Sequence, residues 1–572
     1  MFLRLNHLAA IMGSVTTLVT AIGCANHPAN RDDNEQGSSL TTRTLTCDGG
    51  TPTEGGRVIE FGPPNAPSLG EWPMFKRNLA HTGLAGGSGG LGKDSHCLRW
   101  SHKIAGLTRG NSGPLIAKVK DEWLVLIATS GSCQNDLVNS AAGSQCTRTP
   151  NVRGTVWALN AATGAFRWKT ELPWSVDPYA PLLVDLDRDG RRELVVPAND
   201  GTGGNHIYAI RTEEECGHPA GSIKWDTTYL DSNWTSETAP VAVDIDPSTR
   251  QLEVVFGVGS VIEDAGQAAK VFVLDGVTGA IKGTPFEVGR RSRMTTPNGL
   301  CSGGDKVDSA SPAVASINGV PTVFVGAWDG TFYALQWQSA LDAGGAGLTP
   351  LWRDVLPRYT DAGQCPIRKV RNGAVIGSPT PGAAPVVAFG YMAEPNGTGQ
   401  GDFTTATLRV LDMTTGSFIA KFPDYRDWKS TPSFAPLDPN ASSLDIVGGE
   451  FLGVYALKPQ GSTFAQLWNQ TPVGDGNVSQ GTAGPRSSPA VANIDGQAGL
   501  EVIIGVEGNV DPGLHVLEGA TGRRKWMYPV AAPGVASSPA VGDIDGDGSL
   551  EIVFFDFSGN VYALDNESCV SR

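Results

Sequence analysis

The sequence predicts an all-β fold, an eight-bladed β-propeller of four-stranded antiparallel blades whose last blade is completed by an N-terminal strand. A short strand of one type recurs eight times in the 572 residues. Neighbouring copies lie roughly 45 to 70 residues apart, a period typical of propellers. The 73 glycines and 38 prolines supply tight turns without a collagen-like repeat. The copies are residues 156–160, 207–211, 271–275, 332–336, 408–412, 454–458, 514–518 and 561–565.

The last repeat shows how one blade is built. Residues 537–543 predict the innermost strand, 550–555 an apolar second strand buried on both faces, and 560–565 the third. Proline at the start of a strand removes no ladder hydrogen bond, so a Pro-containing pair is expected to open the other innermost strands. These pairs are Gly113-Pro114, Ala180-Pro181, Ala239-Pro240, Ser311-Pro312, Ser378-Pro379, Thr431-Pro432 and Ser488-Pro489.

A fourth strand follows a Thr-Gly turn in several repeats and often ends in a tryptophan that we expect to pack between neighbouring sheets. These tryptophans are Trp168, Trp225, Trp352, Trp468 and Trp526. The eighth repeat has no such strand, and Cys97-Leu98-Arg99-Trp100 matches the missing piece. We therefore expect an N-terminal strand to close the ring, which removes both exposed sheet edges.

The cysteines support this closure. Aligning the repeats places Cys97 and Cys569 at consecutive positions of one turn, so we expect a disulfide that locks the ring. Without Cys24, eight of the nine cysteines remain, an even number as expected of disulfides in an exported chain. Cys133–Cys146 and Cys301–Cys365 are further expected pairs, which leaves Cys47 with Cys216 by elimination only.

The N-terminus predicts export. Arg4 and His7 precede an apolar run, residues 8–22, that is short for a membrane span. The run ends in Ala21-Ile22-Gly23-Cys24, which resembles the lipobox of bacterial lipoproteins and implies lipidation of Cys24; plain cleavage nearby is the alternative. We divide the chain into a signal peptide (1–23), a flexible tether (24–70) and a propeller (71–572). We expect an exported monomer anchored by lipid in the bacterial cell envelope, at the outer membrane and facing the periplasm or the surface.

Two resemblances cover most of the chain. Residues 71–75 and 78–83, with the Ala-Leu-Asn/Asp, Thr-Gly and Trp copies, resemble the PQQ-like (quinoprotein-type) eight-bladed propeller superfamily, which includes enzymes and pure scaffolds. Residues 185–190 and 543–548 resemble the Asp-rich FG-GAP/VCBS repeats of integrin-type propellers. The second resemblance implies structural calcium.

The Asp-rich loops have the pattern that suits Ca²⁺, with carboxylates at alternate positions, a glycine and a following acidic residue. Without a cation these carboxylates would repel each other; a hydrated Asp-Gly turn is the alternative. The two predicted ligand sets are Asp185, Asp187, Asp189, the Arg191 carbonyl and Glu193, and Asp543, Asp545, Asp547, the Ser549 carbonyl and Glu551. Weaker candidates are Asn493, Asp495, Gln497 and Glu501, and Asp244, Asp246 and Glu253.

Long insertions fall between second and third strands or between blades, and in an up-and-down blade both classes lie on one face, where recognition is usually built. They are residues 130–153, 260–270, 284–308, 353–377, 391–405 and 471–486. Two of them carry basic residues that could form a pocket for an anionic ligand such as an acidic glycan; solvated loop charge is the alternative. The residues are Arg290, Arg291, Arg293, Arg368, Lys369 and Arg371.

The sequence favours binding over catalysis. The quinoprotein dehydrogenases that the chain resembles carry adjacent cysteines near the cofactor, and this sequence has none, so PQQ is not expected. No P-loop or H-E-x-x-H motif is present. The net charge of −15 disfavours nucleic acid. We expect a non-catalytic propeller that binds a protein or carbohydrate. The alternatives are an envelope assembly scaffold, and a quinoprotein-like oxidoreductase or carbohydrate-active enzyme.

Overall fold

The structure is a computed structural model whose described residues belong to one compact unit, Thr46–Arg572. They form 37 strands and no α-helix. No helix in this part of the chain could therefore cross a membrane. The described residues are 70–104, 112–129, 154–173, 175–176, 180–199, 205–230, 234–235, 238–249, 251–260, 268–289, 295–296, 299–300, 307, 311–341, 345–356, 369–370, 372–391, 407–423, 430–440, 442–449, 453–470, 487–508, 511–535 and 537–567.

The first half of the chain forms blades 1 to 4. The first strands are β1 (Leu84–Ser88) and β2 (Cys97–Lys103). Blade 1 has β3 (Leu115–Val119), β4 (Glu122–Thr129), β5 (Thr155–Asn160) and β6 (Phe166–Glu171). Blade 2 has β7 (Ser175–Val176), β8 (Leu182–Val184), β9 (Glu193–Asn199), β10 (Asn205–Arg211) and β11 (Ile223–Leu230). Blade 3 has β12 (Trp234–Thr235), β13 (Val241–Val243), β14 (Glu253–Ser260), β15 (Lys270–Asp275) and β16 (Phe286–Glu287). A two-stranded sheet, β17 (Thr295–Thr296) and β18 (Gly299–Leu300), precedes blade 4, which has β19 (Ala313–Ile317), β20 (Val320–Gly326), β21 (Thr331–Gln338) and β22 (Gly347–Val355).

The second half forms blades 5 to 8. Blade 5 has β23 (Val375–Gly377), β24 (Val386–Tyr391), β25 (Thr407–Asp412) and β26 (Phe418–Pro423). Blade 6 has β27 (Ser433–Ala435), β28 (Asp445–Gly449), β29 (Val454–Gln460) and β30 (Thr463–Gln470). Blade 7 has β31 (Ala490–Asn493), β32 (Glu501–Val506), β33 (Gly513–Glu518) and β34 (Arg524–Pro529). Blade 8 has β35 (Ala540–Gly542), β36 (Glu551–Phe555) and β37 (Asn560–Asp565).

The ring closes where the two ends of the chain meet in one sheet. Strand β2 pairs antiparallel with β37, so the order of blade 8 from outside to inside is β2, β37, β36, β35. This is the position predicted for Cys97-Leu98-Arg99-Trp100. Strand β1 pairs in parallel with β31 and adds a fifth, innermost strand to blade 7. Across the closure, the Ser538 backbone N–H donates to the Ser112 carbonyl at 2.7 Å.

The apolar second strands and the tryptophans form the cores between blades. Strands β24, β28, β32 and β36 are buried at every residue. The predicted packing of the tryptophans between sheets is confirmed. Trp168 packs against blade 2, where a Cβ on Gly221 would lie 3.1 Å from its Cε3. The indole N–H of the other four predicted tryptophans, and that of Trp100, donates to a carbonyl of the next blade or, in blade 7, to the Leu91 carbonyl near the N-terminus. The pairs are Trp100 with Ala161 (2.7 Å), Trp225 with Gly276 (2.9 Å), Trp352 with Met413 (3.1 Å), Trp468 with Gly519 (2.7 Å) and Trp526 with Leu91 (3.1 Å).

One predicted strand start is wrong. In blade 5 the innermost strand β23 ends at Gly377, so Ser378-Pro379 lies after it, in the turn to β24. Gly373 lies two residues before β23, as Thr431 lies before β27 and Ser488 before β31, and its N–H donates to Thr431 Oγ1 at 3.0 Å. The same inter-blade contact joins the Thr431 N–H to Ser488 Oγ (2.9 Å) and the Ser488 N–H to Ser538 Oγ (3.0 Å).

Residues 72–83, which we call the central segment, pass along the innermost strands of successive blades. Its backbone pairs with the edge of these strands that faces the propeller axis, so this edge is covered by the same chain. The carbonyls of the segment accept backbone N–H groups in blades 1, 2, 4, 5, 6 and 7, namely Trp72 from Ile116, Pro73 from Leu183, Leu79 from Val314, Ala80 from Ile376, Thr82 from Phe434 and Gly83 from Val491.

Candidate cation-binding loops

The outermost strands carry a β-bulge at a fixed position that aims one side chain at the loop between the first and second strands. In blade 1 the register skips Arg167, because Phe166 pairs with Leu159 and Trp168 with Ala158. A bulge re-aims a side chain in this way. Seven blades have this register shift. The skipped residue is Arg167 in blade 1, Lys224 in blade 2, Leu351 in blade 4, Ile419 in blade 5, Leu467 in blade 6, Lys525 in blade 7 and Arg99 in blade 8. In blade 3, Lys282 follows the Leu274–Ile281 bridge at the matching position.

The acidic loop of blade 2 holds a lysine among its carboxylates. The loop folds around Asp185, whose oxygens accept the N–H groups of Asp189 (3.0 Å) and Gly190 (2.9 Å). Oxygens of Asp185, Asp187 and Glu193 lie within 4.8 Å of one another, close enough to hold a metal ion. However, Lys224 Nζ lies 2.6 Å from Asp187 Oδ2, 2.8 Å from Glu193 Oε1 and 3.3 Å from a Glu215 oxygen.

The acidic loops of blades 3 and 7 repeat this arrangement. Lys282 Nζ lies 2.9 Å from Asp246 Oδ2 and 2.6 Å from Glu253 Oε1. In blade 7, Lys525 Nζ contacts Asp495 and lies 3.0 Å from Glu501 Oε1. Lys525 comes from the bulge of β34, and Lys282 lies at the matching position directly after the Leu274–Ile281 bridge.

Blade 8 differs because its bulge residue is Arg99. One nitrogen, Arg99 Nη1, lies 2.6 Å from Asp545 Oδ2 and 2.5 Å from Asp565 Oδ2, and Nε donates to the Ala162 carbonyl at 2.6 Å. Glu551 is fully buried, and its Oε2 accepts the Ile544 N–H at 2.8 Å. Its Oε1 is buried and has no hydrogen-bond partner in the part of the chain that the structure describes. Oxygens of Asp543, Asp545 and Glu551 lie within 4.8 Å of one another.

The pKa values reflect this difference between blades 2 and 8. Burial raises the pKa of Glu551 to about 9, and the carboxylates of Asp545, Asp565 and Asp547 add to the rise. Burial also raises the pKa of Glu193, but only to about 7, because Lys224 stabilises its charged form. The charged form of Glu551 is therefore less stabilised by its surroundings than that of Glu193.

The remaining predicted loop residues are placed as follows. Asp187 Oδ1 and Asp189 Oδ1 accept N–H groups of the loop, and the Arg191 N–H donates to Asp189 at 2.7 Å. The Ser549 N–H donates to Asp547 Oδ1 at 2.7 Å. In blade 7, Asn493 Nδ2 donates to the Gln497 carbonyl at 2.8 Å. Asp244 forms an ion pair with Arg188 of blade 2, at 3.1 Å.

Most of the other predicted site residues lie outside the described residues. This holds for Cys24 and for the whole basic patch except Lys369. Lys369 is 7% exposed, and its ammonium lies 3.8 Å from the ring centre of Trp328. Cys97 and Cys216 each belong to a disulfide. The pairs of Cys97 with Cys569, Cys133 with Cys146 and Cys301 with Cys365 stay predictions, because these partner cysteines are not among the described residues.

Sequence reasoning missed the bulge cations. The available signal was a basic residue directly before a fourth-strand tryptophan, as in Arg99-Trp100, Lys224-Trp225 and Lys525-Trp526. Lys282 has no such tryptophan and could be found only by counting from the Thr-Gly turn.

No protein-family model matches the chain, and no curated protein matches it. Among solved structures, the chain is similar to a europium-containing methanol dehydrogenase, with a TM-score of 0.56 and 12% identity over 87% of this chain and 98% of that chain. It is also similar to a quinohemoprotein alcohol dehydrogenase of Pseudomonas putida HK5, with a TM-score of 0.51 and 15% identity over 88% of this chain and 81% of that chain. At these identities the likeness shows the fold alone, a β-propeller.

Proposed function

We propose that the protein is an exported, lipid-anchored, non-catalytic propeller that binds a protein or carbohydrate through one face of the ring. The observation that carries this proposal is the unequal length of the connections on the two faces. Inner-to-second and third-to-fourth connections share one face, the turn face; the other connections share the insertion face. Only residues 120–121 separate β3 from β4, and residues 461–462 separate β29 from β30. By contrast, residues 130–154 separate β4 from β5, and 471–489 separate β30 from β31.

The inner side of the ring is covered by the central segment, which supports ligand binding on a face of the ring and not inside it. The central segment lines the innermost strands, and its Lys76 and His81 side chains are 1% and 0% exposed. A ligand that meets the turn face would find short turns and paired charges, whereas the insertion face offers long, variable connections on a rigid scaffold.

The quinoprotein alternative is less well supported. Its structural support is the fold similarity to two alcohol-oxidising enzymes, which extends to the fold alone. The adjacent cysteines that the resemblance would require are absent from the sequence. Fold similarity does not transfer a reaction, because function lies in the site.

A binding assay with a charge-matched control tests the proposal. The mature chain with Cys24→Ser, which removes the lipid site, is applied to an array of acidic and neutral glycans. The double variant Arg291→Ala/Arg371→Ala tests the insertion-face patch. Arg523→Ala removes a cation of a third-to-fourth turn that is 77% exposed, and serves as the control. We expect binding to acidic glycans that the double variant loses and the control keeps.

Enzyme activity would contradict the proposal. The same protein is incubated with PQQ and Ca²⁺ and assayed for dye-linked alcohol oxidation. Turnover would establish the oxidoreductase alternative. Glycan binding unchanged in the double variant would remove the basic patch as the recognition surface.

We also propose that Ca²⁺ binds the blade 8 loop and rigidifies it. The support is the buried Glu551 oxygen without a partner beside Asp543 and Asp545. A buried, unpaired carboxylate oxygen is costly, and hard oxygen ligands of this kind suit Ca²⁺. Thermal unfolding of the mature chain in Ca²⁺ and in EDTA tests this, and equal midpoints would contradict it.

A further inference from the structure

We propose that Lys224, Lys282 and Lys525 are built-in cations that replace a metal ion in blades 2, 3 and 7, so that of the four acidic loops only that of blade 8 is open to a divalent cation. The inference uses the calcium site proposed for blade 8, but it does not depend on the proposed binding function. Its test measures metal binding and is therefore separate from any glycan assay.

The first step is a shared buried glutamate. In all four blades the second strand starts with a glutamate that is at most 2% exposed: Glu193, Glu253, Glu501 and Glu551. Its Oε2 accepts a backbone N–H of the preceding loop in the same way each time. The donors are Leu186 (3.0 Å), Ile245 (2.9 Å), Ile494 (3.0 Å) and Ile544 (2.8 Å). The other oxygen, Oε1, is thereby left to face the loop carboxylates.

The second step concerns the group that contacts Oε1 of the glutamate. In blades 2, 3 and 7 it is a lysine ammonium, at 2.8, 2.6 and 3.0 Å. The same ammonium also contacts the aspartate at the third position of the loop motif, at 2.6 Å from Asp187, at 2.9 Å from Asp246, and in contact with Asp495. An ammonium is a compact point charge on a flexible stem. It therefore bridges the two carboxylates that a bound cation would otherwise bridge.

The third step is the arginine of blade 8. Arg99 is directed to Asp545, Asp565 and the Ala162 carbonyl, and no hydrogen bond or ion pair joins it to Glu551 among the described residues. A guanidinium presents its donors in a rigid planar fork. Because this fork contacts Asp545 and Asp565 but not Glu551, Glu551 Oε1 stays open to a cation beside Asp543.

The lysine and the buried glutamate are both missing from the other blades. Blade 1 has the bulge cation Arg167, but Arg167 pairs with the partly exposed Glu122, and Leu124 occupies the glutamate position. Blades 4 and 5 have the apolar bulge residues Leu351 and Ile419, and the glutamate position holds Thr322 and Val386. Blade 6 has Leu467 at the bulge and a shorter acid at the glutamate position, Asp445, whose Oδ2 accepts the Leu437 N–H at 3.1 Å. The lysine therefore accompanies the buried glutamate and is no general feature of the bulge.

The experiment counts metal ions in the chelator-treated mature chain and in matched variants. Calorimetric Ca²⁺ titration gives the stoichiometry. Terbium luminescence reports blade 8, because Trp123 Nε1 lies 4.0 Å from the position of a Gly546 Cβ and can sensitise an ion in that loop. The variants are Glu551→Gln, Glu193→Gln, Lys224→Met and the control Lys169→Met, which changes a lysine that is 44% exposed on the outermost strand of blade 1.

We expect about one Ca²⁺ per chain in the wild type, lost in Glu551→Gln and kept in Glu193→Gln and Lys169→Met. Lys224→Met is expected to gain a second ion, and Ca²⁺ is expected to raise its unfolding temperature more than that of the wild type. Wild-type binding of two or more ions, with one lost in Glu193→Gln, would overturn the proposal. So would a folded Lys224→Met that gains neither an ion nor extra stabilisation by Ca²⁺, or a wild type that binds no ion.

Discussion

Arg99 Nη1 lies 2.6 Å from Asp545 Oδ2, so the N-terminal strand β2 is tied by an ion pair to the loop between the first two strands of the last blade. The same nitrogen reaches Asp565 on β37, the strand with which β2 pairs. Residues more than 400 positions apart in sequence are thus joined at the point where the ring closes. The candidate metal loop and the ring closure share Asp545.

Loss of Arg99 is expected to weaken this closure. The Arg99 side chain is 13% exposed and Asp565 is 1% exposed, so Arg99→Ala would remove the charged partner of Asp565, whose Oδ1 keeps the N–H groups of Asn566 and Glu567. Breaking a buried pair in this way costs about 3 kcal/mol. Arg523→Ala, in which the lost side chain is 77% exposed, is expected to change stability by less than about 0.5 kcal/mol. Urea unfolding of both variants measures the difference, and equal midpoints would refute the closure role.

A pair of glycine variants tests the tryptophan packing. Gly522 has φ +72°, and a Cβ there would lie 2.4 Å from Trp468 Cε3; Gly461 has φ +61° with nothing within 4 Å of its Cβ position. Both Ala variants bear the left-handed backbone cost of about 1 kcal/mol. Gly522→Ala also displaces a packed indole, which adds about 1 to 3 kcal/mol. Thermal unfolding should therefore rank Gly522→Ala well below Gly461→Ala; equal unfolding temperatures would show that the indole moves freely.

The repeat pattern alone predicted the eight blades, because each strand carries its own periodicity and turn residues. The position of residues 97–100 followed from the same pattern, and β2 pairs as expected. The Ser378-Pro379 strand start failed because a serine-proline pair also suits a turn. In that blade the backbone N–H of Gly373 makes the hydrogen bond to the next blade.

The sequence of each acidic loop could not predict that a lysine lies among its carboxylates. The Asp187 and Glu193 pattern suits a metal ion, but Lys224 lies on another strand and reaches both only through the bulge. A bulge depends on pairing between strands, so a motif read along one loop cannot show it. The path of the central segment could not be predicted from local sequence either, because it depends on pairing with distant strands. Lys76 and His81 in this segment have positive φ angles of 55° and 56°.

The buried lysine of the central segment is expected to be dispensable for stability. Lys76 Nζ donates to Ser433 Oγ and to the Pro489 carbonyl, and burial lowers its pKa well below the usual value. Ser433 Oγ donates to the same carbonyl at 2.6 Å, so that carbonyl keeps a partner when the lysine is removed. Lys76→Met should therefore leave stability within about 1 kcal/mol of the wild type or raise it.

Ser433→Ala is the matched comparison for this prediction. It leaves the buried amine with one acceptor fewer and should cost about 1 to 3 kcal/mol. Chemical denaturation compares the two variants. A Lys76→Met variant that is the less stable of the two would show that the amine itself holds the central segment in place.

His81 is expected to make stability depend on pH. The ring is fully buried, its Nδ1 lies 3.0 Å from the Ala374 carbonyl, and burial, with a further contribution from Lys76, lowers its pKa from 6.5 to about 3. The unfolded chain therefore binds a proton at this group below pH 6.5 while the folded chain does not. The stability that His81 contributes is present above pH 6.5 and is lost by about 1.4 kcal/mol per pH unit as the pH falls toward 3.

The variant His81→Asn isolates this effect, because asparagine tolerates the left-handed backbone at φ 56° and does not titrate. Asp329 and Asp445, whose pKa values burial raises to about 6, act with the opposite sign but are present in both proteins. The difference in unfolding free energy between wild type and variant should therefore shrink steadily from pH 6.5 to 4. His102→Asn, which changes a half-buried histidine of β2, serves as the control. A difference that stays constant with pH would mean that His81 is protonated in the folded protein.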